Sequence, residues 1–235
     1  YLRAKQISTN PNLAAVVVSL LKEAWVGKGD LVAVAMTGSF PGANLATICA
    51  IETLEAKPVV ITSVGSSTFG ANYAEFTWLD MEKALFDAGI IRTRSIAASV
   101  GGDKDKGVGL NKATIGMIDA AIKRNGVEKI AAKTLVESIK RRMDLYEKAA
   151  KGKPYKCYVN IGGGLASVGS NRVGDKLIAP GLTTAYVLKN YPTEGVLLKM
   201  LKKGGPVVHL MDFRKLATEQ GLPRRQAEPD EVGEG

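Results

Sequence analysis

Aromatic residues are scarce, 6% of a 235-residue chain, and they are scattered. That excludes a nucleic-acid platform built from stacked rings, so no nucleic-acid partner is expected. Histidine occurs once, as His209, and cysteine twice, as Cys49 and Cys157. These are too few ligands for a zinc site, and the cysteines show no CxxC spacing. Both cysteines fall in apolar segments, where the residue behaves as a small hydrophobe. A disulfide or a reactive thiol is the other reading. No apolar run approaches the roughly 20 residues of a membrane-spanning helix. Acidic residues are outnumbered, 23 against 32 Lys and Arg, leaving a formal charge of +9. Such a surplus suits a phosphate, a polyanion or an anionic surface, or else reflects extra lysines on an ordinary soluble surface.

What is present is enough to fill a core: 46% of the residues are hydrophobic. Length and composition fit one domain over residues 1–222, followed by a polar, proline-bearing arm over 223–235. Apolar runs at Leu31–Met36, Pro58–Ile61, Thr93–Ala98, Tyr155–Ile161 and Pro206–Met211 read as buried parallel strands. Between them lie helical stretches: Asn12–Val26, Pro41 to about Glu55, Phe76–Ala88, a segment capped by Asn111, Lys133–Ala150, and one beginning at Thr193. A short helix over Phe213–Gln220 closes the domain. Strict alternation of this kind predicts an α/β fold: a doubly wound, mostly parallel sheet with helices on both faces, a Rossmann-like three-layer sandwich.

Four strands run into glycine and small polar residues. These are Thr37-Gly38-Ser39, Thr62-Ser63-Val64-Gly65-Ser66-Ser67, Ser99-Val100-Gly101-Gly102-Asp103 and Gly162-Gly163-Gly164. Parallel strands deliver their C-terminal ends to one rim, where ligands of such sheets bind. The four tips therefore predict a cleft lined by backbone N–H groups and hydroxyls. Gly38, Ser39 and Asn44 sit where a strand turns into a helix, a geometry that presents amides to an anion, or makes an ordinary tight turn. The segment has no Gly-Lys-Ser/Thr and no GxSxG elbow. Ser63, Ser66, Ser67 and Asn72 belong to a hydroxyl-rich loop suited to a phosphate or carboxylate, or to a flexible connection. Gly162, Gly163, Gly164 and Ser167 depart from the dinucleotide fingerprint and fit a backbone pocket for another anion better.

His209 lies inside an apolar strand, as a hydrogen-bonded structural residue or as a general base at the rim. If the cleft performs chemistry, His209 as base and Ser39 as nucleophile are the candidate pair. A basic group, Lys133, Lys140, Arg141, Arg142, Lys148, Lys151, Lys153 and Lys156, clusters in one helix and its exit, with Lys199, Lys202 and Lys203 beyond. It reads as a solvated face or as a docking surface for a carboxylate polymer or anionic lipid.

Several segments together resemble the poly-gamma-glutamate system protein family. They are Ser8-Thr9-Asn10-Pro11-Asn12-Leu13-Ala14, Gly38-Ser39-Phe40-Pro41, Ser63-Val64-Gly65-Ser66-Ser67 and Phe76-Thr77-Trp78-Leu79-Asp80-Met81-Glu82, then Val159 through Ser167 and Pro206-Val207-Val208-His209-Leu210. The likeness spans nearly the whole chain in matching order. It implies a protein of the bacterial cell envelope, associated with the membrane, that helps make, export or process the capsule polymer. It implies poly-γ-glutamate, or another anionic ligand, and synthase membrane components as partners. An N-terminal anchor ahead of Tyr1 belongs to the same expectation. No settled reaction or cofactor comes with the resemblance; hydrolysis or transfer at a γ-glutamyl amide is the class its polymer suggests. A phosphosugar- or nucleotide-binding module, or a non-catalytic scaffold of the synthase, are the alternatives.

Overall fold

The computed structural model describes residues 2–185 and 193–223. The arm expected beyond Pro223 lies outside the described residues. The chain is an α/β, Rossmann-like three-layer sandwich. It enters through α1 (Leu2–Ser8) and α2 (Leu13–Glu23), then β1 (Leu31–Thr37), α3 (Pro41–Thr53) and β2 (Lys57–Ser63). A short hairpin, β3 (Asn72–Tyr73) and β4 (Phe76–Thr77), leads into α4 (Trp78–Asp87) and β5 (Ser95–Ser99). Then come α5 (Lys112–Arg124), β6 (Glu128–Lys129), α6 (Leu135–Ala150) and β7 (Tyr155–Ile161). The short helices α7 (Leu165–Val168) and α8 (Val173–Leu177) precede β8 (Gly181–Thr183). The described chain ends with α9 (Gly195–Lys202), β9 (Val207–Leu210) and α10 (Phe213–Glu219).

The seven-stranded sheet has the order β6-β5-β2-β1-β7-β9-β8. All pairings in it are parallel except β8 with β9. Alternation along each strand divides the core into two faces. Val32, Val34 and Met36 of β1 pack with α2, α3 and α10, whereas Ala33 and Ala35 pack under α6 and α9. A smaller cluster joins Leu79, Ala98, Val100, Ile118 and Ile122 at the β5 edge. Burial on both sides explains why β1, β2 and β7 read as continuous apolar runs.

Chain order reverses between β1 and β7. From β1 the sheet grows outward through β2, β5 and β6, then returns to the other side of β1 with β7. The loops after these two strands part at this point, which opens a crevice outside the carboxyl ends of the strands.

Two expectations change at the level of elements. Helix α1 was not anticipated, because seven residues containing a buried lysine carry no amphipathic signature. Helix α6 does not present all its bases to solvent. Arg142 shares the inward face with Ser138, Ile139, Met143 and Tyr146, and is 3% exposed.

Candidate functional site

A cleft of about 1360 Å³ occupies the crevice between the β1 and β7 loops. Its walls include Ser39 and Phe40 after β1, Ser63, Ser66 and Ser67 after β2, Gly102 and Asp103 after β5, Gly163 and Gly164 after β7, and His209 of β9. The four glycine-bearing tips, far apart in sequence, therefore do meet on one rim.

The tips are stitched to each other rather than left open. The Gly38 amide donates to Ser63 O at 3.0 Å, and the Gly38 carbonyl accepts from Ala71 N at 2.7 Å. A Cβ at Gly38 would stand 2.2 Å from Val64 O, so only glycine permits this approach. The Ser67 amide donates to Ser39 Oγ at 3.0 Å, and Gly65 N donates to Val100 O at 2.9 Å. The expected lining of free amides is thus largely spent on neighbouring loops. Among the described residues, the amides of Gly163 and Gly164 donate to no protein acceptor. The start of α3 is also closed. A Cβ at Gly42 would lie 2.5 Å from Ser8 O, because α1 is seated against that helix end.

Four expected ligand residues have other work. Asn44 is fully buried and its Nδ2 donates to Thr37 O at 2.9 Å, bracing the β1 loop from behind. Ser167 is buried and its hydroxyl pairs with Tyr158 Oη at 2.6 Å. Gly162 is buried behind Phe40, its amide donating to Leu210 O at 3.0 Å. Asn72 is exposed on the β3–β4 hairpin, away from the cleft walls. Gly38 lies directly beneath the lining as the hinge point of the loops.

His209 and Ser39 share the cleft but form no hydrogen bond with each other. Asn160 Nδ2 donates to Gly162 O at 2.7 Å and lies 2.9 Å from His209 Nδ1. An amide nitrogen only donates, so Nδ1 is the acceptor and the ring proton is assigned to Nε2. Nε2 in turn faces Asp175 Oδ1 at 3.1 Å, and Asp175 is ion-paired to Arg172. Both ring nitrogens are therefore committed. The Ser39 hydroxyl accepts from Ser67 N, and neither ring nitrogen of His209 bonds to it. The expected nucleophile and base pair is not assembled.

The residue that sequence reasoning missed is Lys5. It projects from α1 over the β1 loop and is 6% exposed. Its Nζ donates to Ser39 O and, at 2.9 Å, to Ser67 Oγ, and lies 4.0 Å from the centre of the Phe40 ring. Burial pushes its pKa down to about 8, and among the described residues no carboxylate acts on it. An ammonium removed from water without a counter-charge is costly and is relieved by an incoming anion. Across the cleft, the Arg172 guanidinium covers the Gly163 backbone. Lys176, Arg214 and Lys215 add positive charge to the walls, against Asp103, Asp175 and Asp212.

The exterior bases of α6 behave differently. Lys140 pairs with Asp144 at 2.8 Å and Arg141 with Glu137 at 2.9 Å, while Lys203 of α9's exit pairs with Glu147. Exposed pairs of this sort mute the local field. Cys49 and Cys157 are both free thiols, and burial raises the pKa of Cys157 to about 12, leaving it inert. Asp80 receives Arg124 Nε at 2.8 Å, Asn125 Nδ2 at 2.7 Å and Thr77 N at 2.7 Å, so it ties α4 to the end of α5 beyond capping its own helix.

Fold and cleft together define a Rossmann-like domain with a basic, hydroxyl-lined crevice at its topological switch point. The chain matches no protein-family model, no curated protein and no solved structure. Among the described residues, no helix is long and apolar enough to cross a membrane.

Proposed function

We propose that this protein binds an anionic ligand in the switch-point cleft, and that the ligand is poly-γ-glutamate or its precursor at the bacterial cell envelope. The observation that carries the reading is Lys5: a buried ammonium at the cleft wall with hydroxyl and carbonyl partners and, among the described residues, no carboxylate. A polymer with one carboxylate per residue supplies the missing charge repeatedly. Arg172 at the wall and the +9 surplus favour its approach by long-range attraction. The role is binding and positioning, since no activated nucleophile is assembled beside His209. Synthase membrane components are the partners this role implies.

A switch-point crevice lined by Ser39, Ser63, Ser66 and Ser67 also suits the phosphate of a phosphosugar or nucleotide. Titration calorimetry with γ-glutamyl oligomers, at low and high salt, tests the first reading. Heat at low salt that weakens with added salt is expected. Heat with a sugar phosphate and none with the oligomers selects the second. Silence with both overturns the binding role and favours a scaffold.

A further inference from the structure

A buried polar cluster lies behind Ser63, and it holds a carboxylate. Arg142 Nη2 stands 3.0 Å from Asp105 Oδ2, 2.7 Å from Ser99 Oγ and 3.0 Å from Ser63 Oγ. The hydroxyls of Ser99 and Ser63 donate to Asp105 Oδ1 at 2.7 and 3.1 Å, and that of Ser138 donates to Oδ2. Three hydroxyls and a guanidinium thus converge on one carboxylate from β2, β5 and α6. Burial opposes the charge on Arg142, and Asp105 more than offsets it, raising the guanidinium above its ordinary pKa. Yet Arg142 Nε, in a side chain that is almost wholly buried, has no partner.

The carboxylate arrives on a loop whose other outward ties are few: Lys106 Nζ donates to Lys133 O at 3.2 Å and Leu110 packs on the cluster at the β5 edge. Residues 101–110 link β5 to α5 and bond chiefly to themselves, through Gly107 N to Gly101 O, Asp103 N to Val108 O and Asp105 N to Gly102 O. Lys104 and Asp105 both occupy the left-handed region, at φ 54° and 58°, conformations that cost side-chain-bearing residues energy. The loop's Gly102 and Asp103 line the cleft, as does Ser63 from the receptor itself. The cluster and the cleft are therefore adjoining rooms, with Asp105 filling the inner one.

We propose that Arg142, Ser63, Ser99 and Ser138 form a second carboxylate subsite, which Asp105 occupies as an internal stand-in until a ligand carboxylate displaces it. The 101–110 loop then swings outward, releasing two strained residues. The receptor recognises a carboxylate specifically: both oxygens of Asp105 accept, each from a hydroxyl and from the guanidinium. This subsite rests on the anion-binding reading of the cleft and extends it to a ligand with carboxylates spaced between Lys5 and Arg142.

Three measurements test it. Asp105→Ala empties the receptor and leaves Arg142 uncompensated, so its melting temperature falls; tens of millimolar acetate or formate restores it, while chloride at equal ionic strength does not. Asp105→Gly, which also empties the receptor and suits the left-handed backbone at this position, takes its place if the alanine variant does not fold. In the wild-type protein, saturation with γ-glutamylglutamate speeds amide hydrogen exchange over residues 103–108. The dipeptide also binds the Asp105 variant about tenfold more tightly, because no internal competitor remains. Absence of carboxylate rescue, or a loop whose exchange stays unchanged or slows when the dipeptide binds, overturns the subsite. No dipeptide heat at all defeats the ligand assignment of the cleft instead, and acetate rescue then judges the receptor alone.

Discussion

Two buried cations stand at the same rim, and their surroundings are opposite. Arg142 is enclosed by a carboxylate and three hydroxyls, whereas Lys5 has a carbonyl, a hydroxyl and an aromatic face. Both have paid for leaving water. Among the described residues Arg142 is compensated by Asp105, and no carboxylate compensates Lys5. A compensated charge fixes architecture; an uncompensated one leaves electrostatic energy to be recovered on binding. The comparison separates a cation that already holds a carboxylate from within the chain from one that meets no carboxylate among the described residues.

The largest expected effect comes from undoing the compensation. Asp105→Ala strands the guanidinium and should cost about 3–5 kcal/mol of folding stability, read from urea denaturation midpoints. A loss under about 1 kcal/mol would mean that water reaches Arg142 and the contrast is false.

Next is the alkaline behaviour of Lys5. Its folded pKa of about 8 lies below the 10.5 of an ordinary lysine. Below pH 8 both folded and unfolded chains carry the proton, and the burial penalty is felt in full. Between pH 8 and 10.5 the unfolded chain holds more protons, so stability rises with pH across the window. Denaturation at stepped pH, compared with Lys5→Met, isolates the effect: the variant should lack this rise. Ligand binding runs the other way and fades as pH passes 8, since the neutral amine no longer attracts an anion.

Lys5→Met itself should weaken binding of a γ-glutamyl oligomer by about 1.5–3 kcal/mol, a ten- to hundredfold rise in Kd by calorimetry. Its stability at pH 7 should not fall comparably. Unchanged affinity would place the ligand elsewhere. The smallest effect is expected at Asn72, exposed on the hairpin: Asn72→Ala should leave both stability and affinity within about 0.5 kcal/mol of wild type.

The frame of the molecule was legible because burial on both faces writes itself into uninterrupted apolar runs. Tyr155–Ile161, bounded by Pro154 and Gly162, is the clearest instance, and the Asn111 cap of α5 another, its side chain accepting from Thr114 N at 2.8 Å. The meeting of Ser39, Ser63, Ser66, Ser67, Gly163 and Gly164 followed from parallel strands sharing one end. Side-chain roles were less legible. Asn44 and Ser167 have the composition of ligand residues but are buried, with Asn44 Nδ2 donating to Thr37 O and the Ser167 hydroxyl paired with Tyr158 Oη. Arg142 could have been found: it falls three residues after Ile139 and four before Tyr146, in phase with the inward face of α6. Lys5 left no such trace. Its position depends on how α1 docks against α3 and α10, a tertiary fact that no local pattern encodes.

That docking has a mechanical corollary. The ammonium is delivered by a helix of only seven residues at the very start of the described chain. Displacing that helix from α3 and α10 would withdraw the ammonium from Ser39 and Ser67 without breaking a strand pairing of the sheet.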